Sequence, residues 1–267
     1  MIKKKFLTRR VVTMLRAIMA LLFAFLFLVV GIPVLGIEWL YGKINKKGAE
    51  LSSLRIVQWA FSTIIGICGT DVIVKGAENI PAEEAVVYVG NHRSIFDVVI
   101  GYTHCPGLTG FIAKDNLEKV PLLRVWMRRL HCLFLDRTNP RDGLRVILAA
   151  IDDIKRGISI FVFPEGTRTK TGQMAPFKEG TFKISTKTGC AIIPVAITGT
   201  DEILRNHMPF VKKTTVVFHY GKPIYPDQLE ADQKKHIGAY TQSVIADMLS
   251  EDKDLIPSEI SNLKSCC

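Results

Sequence analysis

No two cysteines stand at the spacing of a metal site or a redox pair. Cys68, Cys105, Cys132 and Cys190 are scattered, and Cys266 and Cys267 end the chain; with neither CxxC nor a Cys/His pattern, a zinc module or disulfide framework is not expected. Several sit in apolar runs, where a thiol behaves as a small hydrophobe and fits a reducing compartment. The terminal Cys-Cys is not a CaaX ending and reads as tail. P-loop and G-x-G-x-x-G patterns are missing, so nucleotide phosphotransfer and dinucleotide redox chemistry have no expected motif. There is no G-x-S-x-G elbow to supply a serine nucleophile. Nor does the globular part carry a strong positive balance. The net charge of +10 is concentrated in residues 1–55, with ten Lys/Arg against two Glu, leaving the rest close to neutral. A nucleic-acid reader carries its basic stripe on the folded domain, so no nucleic-acid partner is expected.

What is present begins with apolar runs. "AIMALLFAFLFLVVGIPVLGI" (17–37) is 21 residues without a charge, enough to cross a hydrocarbon core of roughly 30 Å. "IVQWAFSTIIGICGT" (56–70) is 15 residues, about 22 Å as a helix and short of a span. A signal peptide is disfavoured, because "VLGIEWLYG" offers no A-x-A-like cleavage site and the run is long. Lys/Arg precede the first run and recur between the two as Lys43, Lys46, Lys47 and Arg55. The positive-inside rule wants both flanks in the cytoplasm, which one straight span forbids. Pro33 withholds a helix hydrogen bond and predicts a bend. These features predict a membrane-embedded two-helix segment dipping into one leaflet, its basic flanks on anionic headgroups. A single true span is the alternative.

From residue 71 short β-branched runs alternate with helix-like stretches. "DVIVKG" (71–76), "AVVYVG" (85–90), "LTGFIAK" (108–114), "HCLFLDR" (131–137), "ISIFVFPEG" (158–166), "AIIPVAITG" (191–199) and "TTVVFHYGKPI" (214–224) are predicted strands. "PLLRVWMRRL", "RDGLRVILAAIDDIKRG" and "PDQLEADQKKHIGAYTQSVIADML" are predicted helices, the last with a proline and acids at its start. Alternation of this kind predicts an α/β fold with a mostly parallel central sheet flanked by helices. The expected organisation is a membrane-associated segment over 1–70, an α/β domain over 71–250 and a tail over 251–267.

In such a sheet, functional residues gather at strand ends. "AVVYVG" runs into "NHRSIFD" (91–97). Positions five apart on a helix differ by about 140°, so His92 and Asp97 meet only if His92 precedes a helix whose first turn holds Asp97. Ser94-x-x-Asp97 is a helix-start signature that supplies this. Three readings stay open. Asp97 merely closes a capping box; the pair ligates a metal, though no further His/Asp/Glu cluster accompanies it; or Asp97 fixes one imidazole nitrogen and leaves the other as a base. Since the chain offers no nucleophile of its own, a base here would act on a substrate hydroxyl. Lys114, Arg137, Arg168 and Lys178 are cations at or just beyond strand ends. Glu165-Gly166-Thr167-Arg168 groups a glycine, a hydroxyl and a guanidinium suited to phosphate oxygens.

These residues resemble a known family. "NHRSIFD" resembles the H-x4-D motif of the glycerolipid acyltransferases. "FPEGTRTKTG" with "MAPFKEGTFKIS" resembles their F-P-E-G-T-R-S block and its extension, "FIAK…LFLDR" their acceptor motif and "IIPVAI" their fourth block. The likeness covers residues 70–230 and is greatest to 1-acylglycerol-3-phosphate acyltransferases. It implies transfer of an acyl chain from acyl-CoA or acyl-carrier protein to the sn-2 hydroxyl of 1-acylglycerol 3-phosphate, giving phosphatidic acid. His92 is then the general base and Asp97 its holder. Arg168, Gly166 and Thr167 grip the acceptor phosphate with Lys114 and Arg137, Glu165 belongs to the same block and orients Arg168 or a substrate hydroxyl, and Asn91 and Lys178 support the site. No cofactor or metal is implied. The acceptor is a membrane lipid, and the catalytic domain faces the cytoplasm, as at a bacterial inner membrane. Departures fall in the acceptor motif: Asn116 stands where Glu is usual, and Arg124 where glycine is common. They leave open another lysolipid, or glycerol 3-phosphate, as acceptor; a thioester hydrolase and a non-catalytic anionic-lipid binder are the remaining alternatives.

Overall fold

The computed structural model describes residues 2–169 and 173–256. Two helices, α1 (Ile2–Ile44) and α2 (Lys46–Cys68), form a hairpin. Asn45 makes the turn: in extended conformation, its side chain accepts the Gly48 N–H and caps α2. Then follow β1 (Asp71–Lys75), β2 (Val87–Gly90), α3 (Phe96–His104), β3 (Thr109–Lys114), α4 (Pro121–Arg129), β4 (Leu133–Leu135), α5 (Pro140–Lys155) and β5 (Ser159–Val162). The chain closes with α6 (Lys183–Thr188), β6 (Ile192–Thr198), β7 (Thr215–Tyr220), α7 (Ala231–Lys235) and α8 (Ile237–Glu251).

The seven strands form one sheet in the order β1-β7-β6-β2-β5-β3-β4. Every neighbouring pair is parallel except β6 with β7. Strands β2 and β6 are buried almost throughout, because the sheet carries an apolar layer on each face. Tyr88, Phe161, Ile193 and Phe218 belong to one layer with α2 and α3, while Val87, Ile160, Ile192 and Ile245 belong to the other with α5 and α8.

Helix α1 runs on through Pro33 as one element. The sequence reading needs adjustment at two places. Helix α2 begins ten residues before the apolar run, so its 23 residues reach about 34 Å; the polar first turns, capped by Asn45, are helical too. Both helices are therefore long and apolar enough to cross a membrane. The predicted C-terminal helix is broken. Pro226–Gln228 is a 3-10 turn, and Glu230 and Gln233 form a capping box that starts α7 afresh. His236, with φ −118° and ψ 41°, then separates α7 from α8. Of the expected tail, 257–267 lie outside the described residues, Cys266 and Cys267 among them.

The hairpin is tied to the domain by a buried acid. Glu38 of α1 accepts from Ser52 (2.7 Å) and Ser53 (3.2 Å) of α2 and from the Arg129 guanidinium of α4 (3.2 Å). Arg129 also donates to Ser53 Oγ at 2.9 Å. Removing one partner of a buried pair leaves the other charged and desolvated. Arg129→Ala is expected to cost about 3 kcal/mol, the low end for such pairs because two serines still reach Glu38. Thermal unfolding in detergent should register this as a lowered midpoint, and Glu38→Gln combined with Arg129→Met should recover most of it.

Candidate active site

Strand β2 lies between β5 and β6, and the chain leaves its C-terminal end through Asn91 and His92 before α3 starts. Open α/β sheets present their sites in this crevice. Asn91 is fully buried, and its amide bonds both backbone groups of Ile197, donating at 2.9 Å and accepting at 2.8 Å. The ends of β2 and β6 are thereby sewn together.

His92 Nδ1 lies 2.8 Å from Asp97 Oδ2, which also accepts the backbone N–H groups of Arg93 (2.7 Å) and Ser94 (2.8 Å). Capping and imidazole-holding thus fall to one carboxylate oxygen. The serine half of the expected capping box is weak, Ser94 Oγ accepting only from Phe96 N at 3.3 Å. Asp97 Oδ1 accepts the Thr200 hydroxyl at 2.5 Å, and Asp97 is completely buried. A carboxylate with four donors around it acts as acceptor, so the imidazole presents Nδ1–H to it and keeps Nε2 as the lone-pair nitrogen. The ring stacks on Phe163 at a centroid distance of 4.2 Å and 18°.

Glu165 departs from the sequence expectation. Its two oxygens accept the N–H groups of His92 (2.7 Å) and Ala175 (2.9 Å), and it is buried. Burial pushes its carboxyl up from the ordinary range, and those two donors oppose the shift. An acid occupied by two backbone groups is a brace under the His92 segment, a role that its grouping with the phosphate-binding residues does not describe. Gly166 follows in left-handed conformation (φ 74°), and a Cβ there would lie 2.8 Å from Lys178 Nζ. Glycine is what lets Lys178 close over this turn.

His92 borders a cavity of about 1180 Å³. Lys114, Arg137, Gly166, Thr167, Arg168 and Lys178 line it as well, so the structure brings together all the expected cations. Arg137 is pushed down by burial and then by the neighbouring positive charge of Arg168, with Asp115 opposing. Two guanidiniums crowding one space are arranged for an anion. Much of the remaining wall is apolar and reaches the hairpin and α4: Phe27 and Leu28 of α1, Phe61 and Ile64 of α2, Trp126 and Met127 of α4. Among the described residues, no group of three or more His, Cys, Asp or Glu is placed to hold a metal ion.

Two residues here escape sequence reasoning. Thr200 bonds Asp97, and Arg205, which also lines the cavity, donates to the Arg93 carbonyl at 2.5 Å. Both come from "GTDEILRNH" beyond β6, a stretch without a motif, and they reach partners more than 100 positions away.

Comparison with known proteins shows what the chain is similar to. Residues 71–198 match the family described as Acyltransferase. A 1-acyl-sn-glycerol-3-phosphate acyltransferase of Borreliella burgdorferi is 30% identical over 192 residues, covering 71% of this chain and 74% of that protein. The chloroplastic 1-acyl-sn-glycerol-3-phosphate acyltransferase BAT2 of Brassica napus is 33% identical over 175 residues, 62% of this chain and 48% of its own, so the chain spans about half of that plant protein. The crystal structure of the 1-acyl-sn-glycerophosphate acyltransferase PlsC from Thermotoga maritima superposes with a TM-score of 0.77 at 24% identity, covering 92% of this chain and 99% of that one; it shares the fold. On the strength of the bacterial relative, matched over most of both chains, this protein belongs to the acyltransferase family of the 1-acyl-sn-glycerol-3-phosphate acyltransferases.

Proposed function

We propose that the protein transfers an acyl chain from a thioester donor, acyl-CoA or acyl-carrier protein, to the free sn-2 hydroxyl of 1-acylglycerol 3-phosphate. The observation that carries this is the single cavity, which holds an imidazole, a cluster of cations and a long apolar wall together. Cations suit a phosphate and the apolar wall suits a hydrocarbon chain. The imidazole lines the same cavity, where an acceptor hydroxyl could reach it.

His92 Nε2 takes the hydroxyl proton as the oxygen attacks the thioester carbonyl. The tetrahedral intermediate collapses with cleavage of the C–S bond, and the imidazolium returns its proton to the leaving thiolate. Asp97, anchored by its four donors, stabilises the transient imidazolium. Arg168, Arg137, Lys114 and Lys178, with the Gly166-Thr167 turn, hold the acceptor phosphate. No acyl-enzyme forms and no metal or cofactor takes part.

The hairpin delivers the acceptor. Ala24, Phe27 and Leu28 lie within the apolar run of α1, yet they face the cavity, while Leu21, Leu22, Phe25 and Val30 face outward and are exposed. This two-sidedness favours helices lying in one leaflet, with the catalytic domain on the cytoplasmic side beside the basic flanks. The lysolipid then enters without leaving the bilayer.

The test is transfer of labelled acyl groups by detergent-solubilised protein to lysophosphatidate, glycerol 3-phosphate and lysophosphatidylcholine, beside a control without acceptor. Lysophosphatidate is expected to be acylated fastest. Faster turnover of another acceptor would reassign the substrate, and thioester cleavage at full rate without acceptor would make the protein a hydrolase.

A further inference from the structure

The acyl-transfer scheme gives Thr200 no task. Its hydroxyl nevertheless donates to Asp97 Oδ1 at 2.5 Å, the one donor on that oxygen among the described residues, whereas Oδ2 takes His92 Nδ1, Arg93 N and Ser94 N. Thr200 and Asp97 are both completely buried. The link is long-range, and it is held from both sides. Asn91, next to His92, bonds both backbone groups of Ile197, three residues before Thr200. Arg205, five residues after it, bonds the carbonyl of Arg93, next to His92 on the other side. The segment beyond β6 is therefore fastened to the His92 segment at three successive points, and Thr200 is the middle one.

We infer that Thr200 is a positioning residue of the His92–Asp97 pair, its hydroxyl setting the rotation of the Asp97 carboxylate so that Oδ2 faces the imidazole. The final torsion of an aspartate is broad and nearly two-fold, so packing alone defines it poorly. A buried anionic oxygen without a donor is costly and draws in water or turns toward another N–H. Either response moves Oδ2 off His92 Nδ1, and the ring loses the partner that fixes its tautomer. Thr200 touches neither substrate in this scheme; it acts through Asp97.

The kinetic side of the test rests on the proposed acyl transfer, and the spectroscopic side on geometry alone. Thr200→Val keeps the shape and deletes the donor. It is expected to lower kcat about 10–100-fold, with KM for both substrates within about threefold, while Thr200→Ser stays within about threefold of wild type in kcat. In an Asp97→Ala background Thr200→Val should change kcat by less than about twofold, because groups acting as one unit are not additive. In protein labelled with 15N-histidine, the Nδ1–H resonance of His92, assigned by its disappearance in His92→Gln, should shift or broaden in Thr200→Val and persist in Thr200→Ser. Thr200→Ala serves as the second deletion of the hydroxyl if valine does not pack. A kcat within about twofold of wild type in both deletions, a serine variant as slow as valine, or an undiminished loss in the Asp97→Ala background overturns the assignment. If wild type transfers no acyl group to any acceptor, the acyl-transfer reading fails by itself. The resonance then decides, and an unchanged signal in the deletion variants removes Thr200 from its role.

Discussion

Replacing His92 with alanine is expected to lower kcat for acyl transfer by at least about 10²-fold, the usual contribution of a positioned general base. The two buried acids that contact the His92 segment are already engaged. Asp97 is buried with all its bonds directed to the backbone, His92 and Thr200, and Glu165 is spent on two N–H groups. The KM for both substrates should change little, since the proposed proton transfer belongs to the transition state and not to binding. The thermal midpoint should stay close to wild type, because only the ring contacts with Phe163 and Asp97 are lost. Transfer in His92→Ala at anything near the wild-type rate would take the imidazole out of the mechanism.

Arg168→Ala is the second large effect, and it falls on binding. Arg168 lines the cavity, as do Arg137 and Lys178, and follows the Gly166 turn, with its positive charge felt by Arg137. Charge-assisted hydrogen bonds to phosphate are worth about 1.5–3 kcal/mol, or about 10–150-fold in affinity. The expected result is a rise of that size in KM for the lysophosphatidate acceptor, with KM for the acyl donor nearly unchanged. Arg168→Lys should recover part of it, since an ammonium keeps the charge without the planar fork. Steady-state kinetics with each substrate varied in turn separates the two. A rise confined to the donor would mean that these cations hold the thioester carrier instead, leaving the acceptor phosphate to be found elsewhere.

Some of this was legible in the residues. The seven apolar runs were placed within a few positions of the strands, because a strand buried on both faces has to be apolar along its length. Asp97 was expected in the first turn of a helix behind His92, and it is there, since local spacing controls a contact between residues five apart. Other features were not legible. The role of Glu165 depends on which backbone N–H groups meet it, and its neighbours in "FPEGTR" do not disclose them. Helix α2 outran its apolar segment because Asn45 capped it eleven residues upstream. The long C-terminal pattern broke where a capping box restarted the helix.

The order of motifs along the chain was enough to determine the family, the sheet, the two apolar N-terminal helices and the cations, because each depends on residue type and short-range spacing. Tertiary structure decided which of these meet. It set Thr200 on Asp97 and Arg205 on Arg93 across more than 100 positions, tied Glu38 to Arg129 across 91, and laid the hairpin along the same cavity as His92. Contacts of that range come from the crossing of strands and the closing of layers, a geometry that no local stretch of sequence contains.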